Sequence, residues 1–279
     1  MVLKVLTDPG QALDDVRGGF GGVLKSMYSF SGLIAALLIA ASVTNVAPVG
    51  TEPRRPVLLE LFTSEGCSSC PPADALLQKL DRTQPIAGVD LIVLSEHVDY
   101  WNALGWKDPF SSTQFTERQT TYAQQIDPAS GTYTPELVVD GRAGVVGSDW
   151  GAVSDAIGHA AKIEPQWMSI SKVSRSSGKV SIHIDAAATG RSGAALYVAL
   201  ADDYDSSHVL RGENQGRTLS HVAVVRELTF VGPATAHNEL NKDVSLRIPD
   251  GAGAKGLRIV TFLQDQKTGA ILSLASTHV

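Results

Sequence analysis

Six consecutive residues, Val57-Leu58-Leu59-Glu60-Leu61-Phe62, read as a short buried strand that leaves through Thr63-Ser64-Glu65-Gly66 into Cys67-Ser68-Ser69-Cys70-Pro71-Pro72. Apolar residues then recur at Ala73, Leu76, Leu77 and Leu80, the spacing of a helix over residues 73–80. A strand turning directly into a helix through a Cys-x-x-Cys confines this part of the chain to an α/β arrangement. Cys67 is expected at the helix N-terminus, where unpaired N–H groups and the helix dipole stabilise a thiolate. Cys70, expected one turn later on the same helix, is placed to attack a mixed disulfide on Cys67 and close an internal bridge. Pro71 and Pro72 suit a first turn, where a missing N–H costs little.

These are the only two cysteines in 279 residues. Structural zinc normally takes four ligands, and the chain has neither a second cysteine pair nor a closely spaced His-x3-5-His. Redox chemistry is the leading reading, with a purely structural bridge and a metal site as alternatives.

Downstream, Tyr133-Thr134-Pro135-Glu136-Leu137-Val138-Val139-Asp140-Gly141-Arg142 reads as a proline-entered strand ending in an Asp-Gly turn. A cis Thr134-Pro135 bond would leave the Thr134 backbone free to pair with an extended substrate. This arrangement resembles the thioredoxin fold, in which a cis-proline loop faces the Cys-x-x-Cys; a trans proline starting an edge strand is the plainer alternative. Between the two motifs, Val89-Asp90-Leu91-Ile92-Val93-Leu94-Ser95 suits a central parallel strand, and it delivers His97 and Asp99 to the edge where the cysteine helix begins. Those two residues are expected as polar neighbours of the sulfurs, as proton carriers or soft-metal ligands, or else as partners of loop backbone. Glu60 stands out in its apolar strand: it is a candidate proton acceptor for Cys70, or one half of a salt bridge.

Before the first strand there is no charged residue from Ser26 to Thr51, and residues 33–41 are wholly apolar behind Lys25. This reads as a secretory signal, with Ala40-x-Ser42 as small residues for cleavage and Met27 as an alternative start. The strongly apolar stretch is about half of the ~20 residues that span a bilayer, so a membrane is expected as a partner only through an uncleaved anchor. A periplasmic or secreted location follows, in a compartment that permits disulfides. With a net charge of −6 and no basic run, nucleic acid is not an expected partner. Having no other cysteine, the pair must exchange with protein thiols or disulfides of a partner.

Three regions are expected: residues 1–50 as extension and signal or anchor, 52–165 as an α/β domain, and 166–279 as a β-rich domain. Within the second, a helix over residues 111–126 opens with a Ser111-x-x-Gln114 capping box and, with the loop 101–110, overhangs the active edge. In the third, seven period-2 segments (168–173, 179–186, 194–201, 221–230, 244–248, 257–262 and 271–275) suggest an antiparallel β-sandwich. The polar stretch 212–221 between two of them reads as a solvated hairpin loop, with contact to the α/β domain or a ligand as the alternative.

The segment Glu60-Leu61-Phe62-Thr63-Ser64-Glu65-Gly66-Cys67-Ser68-Ser69-Cys70-Pro71-Pro72-Ala73-Asp74 is more specific than a bare Cys-x-x-Cys. Together with His97-Val98-Asp99-Tyr100-Trp101, Gly105-Trp106-Lys107-Asp108-Pro109-Phe110, Tyr133-Thr134-Pro135, Val139-Asp140-Gly141-Arg142 and Gly212-Glu213-Asn214 through Arg217-Thr218, it resembles the secreted family called domain of unknown function 1223. The resemblance implies a thioredoxin-like domain, bacterial export and a C-terminal β-rich extension. Glu96 stands where the family pattern has an aromatic residue, and the tryptophan that precedes the cysteines in thioredoxin is absent.

The expectation is therefore an exported thioredoxin-like protein with a C-terminal antiparallel β-sandwich-like domain and no cofactor beyond a redox-active disulfide. Cys67 attacks, Cys70 resolves, Thr134 and Pro135 orient the partner, and Glu60 takes the proton. The alternatives are a periplasmic Cu(I)-binding protein using Cys67, Cys70 and His97, and a non-catalytic recognition module pinned by the bridge.

Overall fold

The computed structural model describes residues 54–279, which form one compact unit. The expected signal or anchor within residues 1–50 lies outside the described residues.

The chain begins as β1 (Arg55–Thr63), α1 (Pro71–Thr83), β2 (Val89–His97), α2 (Thr113–Ile126), β3 (Glu136–Val139), β4 (Ala143–Val146) and α3 (Trp150–Ala160). It continues entirely in strands: β5 (Met168–Ser176), β6 (Lys179–Ala186), β7 (Ala194–His208), β8 (Thr218–Ala234), β9 (Leu240–Arg247), β10 (Leu257–Asp265) and β11 (Ile271–His278). Eight of the strands form one mixed sheet in the order β11-β10-β7-β8-β2-β1-β3-β4, and β5-β6-β9 form a second sheet.

Strand β1 reads as a continuous apolar run because both of its faces are covered. Val57, Leu59 and Leu61 pack with Leu77 and Leu80 of α1 and Val153 and Ile157 of α3. The alternate residues face the other way: Leu58 packs with Phe115 of α2, and Phe62 with Tyr122 of the same helix. Strand β2 runs parallel to β1, with Leu59 opposite Val93, while β3 is antiparallel to β1 and β4 to β3.

All seven period-2 segments become strands, and they divide between the two sheets. Strand β8 adds to the far edge of β2 in parallel, at Ser95 and Val224, so β7, β8, β10 and β11 prolong the first sheet. An unpaired edge of β2 would leave backbone groups open to adventitious pairing, and β8 covers it. The second sheet shares an apolar core with the first: Val180, Ile182 and Ile184 of β6 meet Leu196 and Val198 of β7 and Ile259 of β10.

Helix α2 starts two residues later than expected. Ser112 is its N-cap and accepts from the Gln114 amide, whereas the Ser111 hydroxyl donates to the Asp108 carbonyl instead. The helix packs on the face of the sheet through Phe115, Gln119 and Tyr122, and it is the loop 101–110 that reaches the cysteine edge. No described helix is long and apolar enough to cross a membrane.

Candidate functional site

Cys67 and Cys70 are joined by a disulfide, with Cα atoms 5.4 Å apart. Cys70 is the N-cap of α1, and its carbonyl accepts the first helical bonds from Ala73 and Asp74 (2.9 and 3.1 Å). Cys67 lies three residues outside the helix, in a turn where its amide donates to the Ser64 carbonyl (3.1 Å). The expectation that Cys67 starts the helix and Cys70 sits a turn inside it is corrected here. Proline has no N–H to give and fits the first turn, and here Pro71 and Pro72 are its first two residues.

The cis Thr134-Pro135 bond is present at the start of β3. Glu136 pairs with Phe62, so the proline stands at the same sheet edge as the loop 64–70. The Thr134 hydroxyl accepts from the Trp101 indole N–H (2.9 Å), and the Cα of Gly66 lies so close to Trp101 that a Cβ there would come within 3.1 Å of that residue's own Cβ.

Glu60 belongs elsewhere. It points to the α2 face of the sheet, away from α1, where it accepts from Arg118 Nε (2.7 Å) and from the Tyr122 hydroxyl (2.5 Å). The salt-bridge alternative describes it. Asp99 likewise turns to α2 and accepts from the Thr113 and Thr116 hydroxyls (both 2.6 Å), which hold its carboxyl below the usual range.

Three buried acids, Glu65, Asp74 and Asp108, meet the cysteine loop, with two buried imidazoles among them. Glu65 Oε2 accepts from the Trp106 indole N–H (2.8 Å); its Oε1 accepts from the Ser207 hydroxyl and lies 3.3 Å from His221 Nε2. His221 Nδ1 stands 3.4 Å from Asp74 Oδ1, an ion-pair distance without hydrogen-bond geometry. Burial opposes a charge on His221, but Asp74 first and then Glu65 outweigh it and push its pKa up to about 10. His97 bonds through Nδ1 to Asp108 Oδ2 (2.7 Å), and its ring centroid lies 4.5 Å from that of His221. Against the opposing effect of burial, His97 holds the Asp108 carboxyl below its usual range. Asp108 Oδ2 also accepts the Glu65 amide (2.8 Å) and so ties the loop 101–110 to the cysteine loop.

Of the two places expected for His97, the structure shows it bonded to Asp108 in the cluster beside the cysteine loop, with its Nε2 lacking a hydrogen-bond partner among the described residues. Among those residues there is no group of three or more His, Cys, Asp or Glu arranged to hold a metal ion.

The stretch 212–221 closes the β7–β8 hairpin and is exposed at most positions from 212 to 218, but it also makes the expected alternative contact, with the α/β elements at the cysteine loop. Asn214 is fully buried and donates its amide to the Cys67 and Glu65 carbonyls, both at 2.9 Å. Glu213 accepts from the Ser68 amide (3.0 Å), and His221 closes the acid cluster. A polar composition suggested solvent, but here it satisfies the buried main-chain groups of the cysteine loop. Ser207 had no place in the sequence reading; Glu65, Asp74, Trp106, Asp108 and Asn214 stood in the motifs that carry the family resemblance, and Asn214 and His221 in the stretch whose alternative was contact with the α/β domain, but none had a stated chemical role.

Fold and site together define a mixed α/β protein that carries its only two cysteines as a bridge at one edge of its central sheet. The chain belongs to the family described as "Protein of unknown function (DUF1223)", whose model matches residues 58–264. It is similar to the crystal structure of the protein AGR_C_4864 from Agrobacterium tumefaciens, at 26% identity and a TM-score of 0.59, over 82% of this chain and 95% of that one. A likeness to the sporulation control protein Spo0M of Bacillus subtilis has 12% identity and a TM-score of 0.25, over 41% of this chain and 47% of that one. No curated protein matches.

Proposed function

We propose that this is an exported thiol-disulfide exchange protein in which β1-α1-β2 and β3-β4-α3 form a thioredoxin-like unit and Cys67 and Cys70 are the redox couple. The observation that carries the reading is the bridge itself, set between a sheet edge and the first residue of a helix, in a chain with no other sulfur pair to protect. The disulfide is consistent with an oxidising compartment, and the apolar segment 33–41 supports periplasmic or secreted placement.

In the reductive direction, the Cys67 thiolate attacks one sulfur of a partner disulfide and the other leaves as a thiolate. The Cys70 thiolate then attacks the Cys67 sulfur of the mixed disulfide, which re-forms the bridge and releases the second partner thiolate. Two electrons pass to the partner, whose thiolates take up two protons, and the opposite direction reverses every step. The positive end of α1 favours the thiolate at Cys70, its N-cap. Thr134 and Pro135 line the edge where a partner's backbone would be held. Glu60 is left out of this mechanism because it is held by Arg118 on the far face.

The test is the reduction potential of the bridge, together with exchange by Cys67→Ser. A potential between roughly −120 and −270 mV, with exchange abolished in the variant, is the expected result. Retained exchange in Cys67→Ser would sink the mechanism.

One observation favours a second reading. Both cysteines are 0% exposed, as in a bridge that merely pins a recognition surface. A potential below about −300 mV would select that reading. Cu(I) binding by the reduced pair with His97 predicts instead stoichiometric metal uptake that requires both cysteines.

A further inference from the structure

Helix α2 buries Gln119 completely, and both hydrogens of its side-chain amide go to one short segment. Nε2 donates to the Tyr133 carbonyl (2.6 Å) and to Glu136 Oε2 (2.8 Å), while Oε1 accepts from the Tyr100 hydroxyl (3.2 Å). Because the Tyr133 carbonyl can only accept, the nitrogen must face it, and the orientation of the amide is fixed. Gln119 therefore grips the chain immediately before and immediately after Thr134 and Pro135. The Pro135 carbonyl accepts from the Gly147 N–H (3.0 Å), and the Thr134 hydroxyl accepts from the Trp101 indole. The main-chain N–H and C=O of Thr134, by contrast, have no hydrogen-bond partner among the described residues. One residue with both groups open can pair with one residue of an extended chain, as in a hydrogen-bonded pair of an antiparallel ladder. The grip also depends on Gly144 of β4, where a Cβ would lie 2.6 Å from Glu136 Oε1 and crowd the carboxylate that Gln119 holds.

We infer that Gln119 is a positioning residue for exchange: by holding Tyr133 and Glu136 it keeps Thr134 placed to pair, through both of its open main-chain groups, with an extended cysteine-bearing segment of a partner protein. This deepens the exchange reading and rests on it. Gln119 acts through Thr134, so it contributes to holding the partner and not to the chemistry of the sulfurs. A small thiol with no main chain makes no use of Thr134 and is indifferent to Gln119.

The experiment measures reduction of the bridge in the purified full chain by reduced, unfolded ribonuclease, an extended chain that carries thiols, and by mercaptoethanol, each over a range of concentrations. In Gln119→Leu the half-saturating concentration of ribonuclease is expected to rise at least about tenfold, with the limiting rate within about twofold of wild type and the mercaptoethanol rate unchanged. Gly144→Ala keeps Gln119 but displaces Glu136 from it; it should raise the half-saturating concentration at least about threefold, and it carries the test if Gln119→Leu does not fold. A merely structural glutamine would lower stability and leave the two thiols equally affected. An unmoved half-saturating concentration in a folded variant, or an equal slowing with mercaptoethanol, would overturn the inference and leave the exchange reading standing. If the wild-type bridge exchanges with neither thiol, the reading and this role fail together.

Discussion

Two buried acid clusters flank the same strand, and they differ in what holds them. On the α2 face, Glu60 and Glu96 surround Arg118, which also donates to Tyr122 and Gln264. Burial first, and then Glu60, push the Glu96 carboxyl well above its usual range; against burial, Glu60 keeps Arg118 firmly charged. At the cysteine edge the positive partner is an imidazole, His221, between Glu65 and Asp74, with His97 and Asp108 alongside. A guanidinium keeps its proton throughout, whereas His221 keeps its own through neutral pH and gives it up as pH rises through about 10. The comparison teaches that one acidic cluster clamps the sheet to α2 through a permanent cation, and the other ties β8 to the cysteine loop through a cation that titrates.

Breaking each clamp should separate the two roles. The largest effect is expected from Arg118→Met, which leaves two buried carboxyls without their cation and should cost about 3–5 kcal/mol in denaturant unfolding, with the bridge's reduction potential unchanged. A shifted potential would show that the α2 cluster reaches the cysteines after all.

His221→Gln should cost about 2–3 kcal/mol near pH 6 and also move the potential. Its pH dependence has a definite sign. The folded pKa of His221 is raised from the ordinary 6.5 to about 10, so the folded state holds the proton more tightly. The resulting stabilisation is complete below about pH 6.5 and is lost as pH rises through about 10. Unfolding of wild type and variant at pH 6, 8 and 10 should therefore show a gap that closes toward pH 10, and a constant gap would refute the imidazolium.

The smallest effects come from a matched pair. Tyr122→Phe and Ser207→Ala each delete one hydroxyl donor to a buried carboxylate, in the α2 and cysteine clusters respectively, and should cost about 1–2 kcal/mol apiece. Only Ser207→Ala should move the potential. If both did, the distinction between clusters would fail.

Much of the chain's organisation was legible locally. The continuous apolar run of β1, the double proline in the first turn of α1 and the seven period-2 segments each became the element expected of them, because apolar patterning and missing N–H groups act on neighbours in sequence. The choice of acid was not legible. Glu60 drew attention as an isolated carboxylate in an apolar strand, yet the two-residue period of β1 aims it at α2, while Glu65 looked like an ordinary loop residue. Nor did the polar stretch 212–221 announce that its carboxylate, amide and imidazole would be spent on the cysteine loop.

By itself, the sequence determined the order and kind of the elements, that the two cysteines lie at a strand-to-helix junction, and that within the chain they have only each other to pair with. Only the tertiary structure decided what surrounds them. Asn214 lies 147 residues beyond Cys67, and His221 156 beyond Glu65. They arrive because β8 adds to the edge of β2, and no periodicity encodes a contact between strands so far apart in the chain.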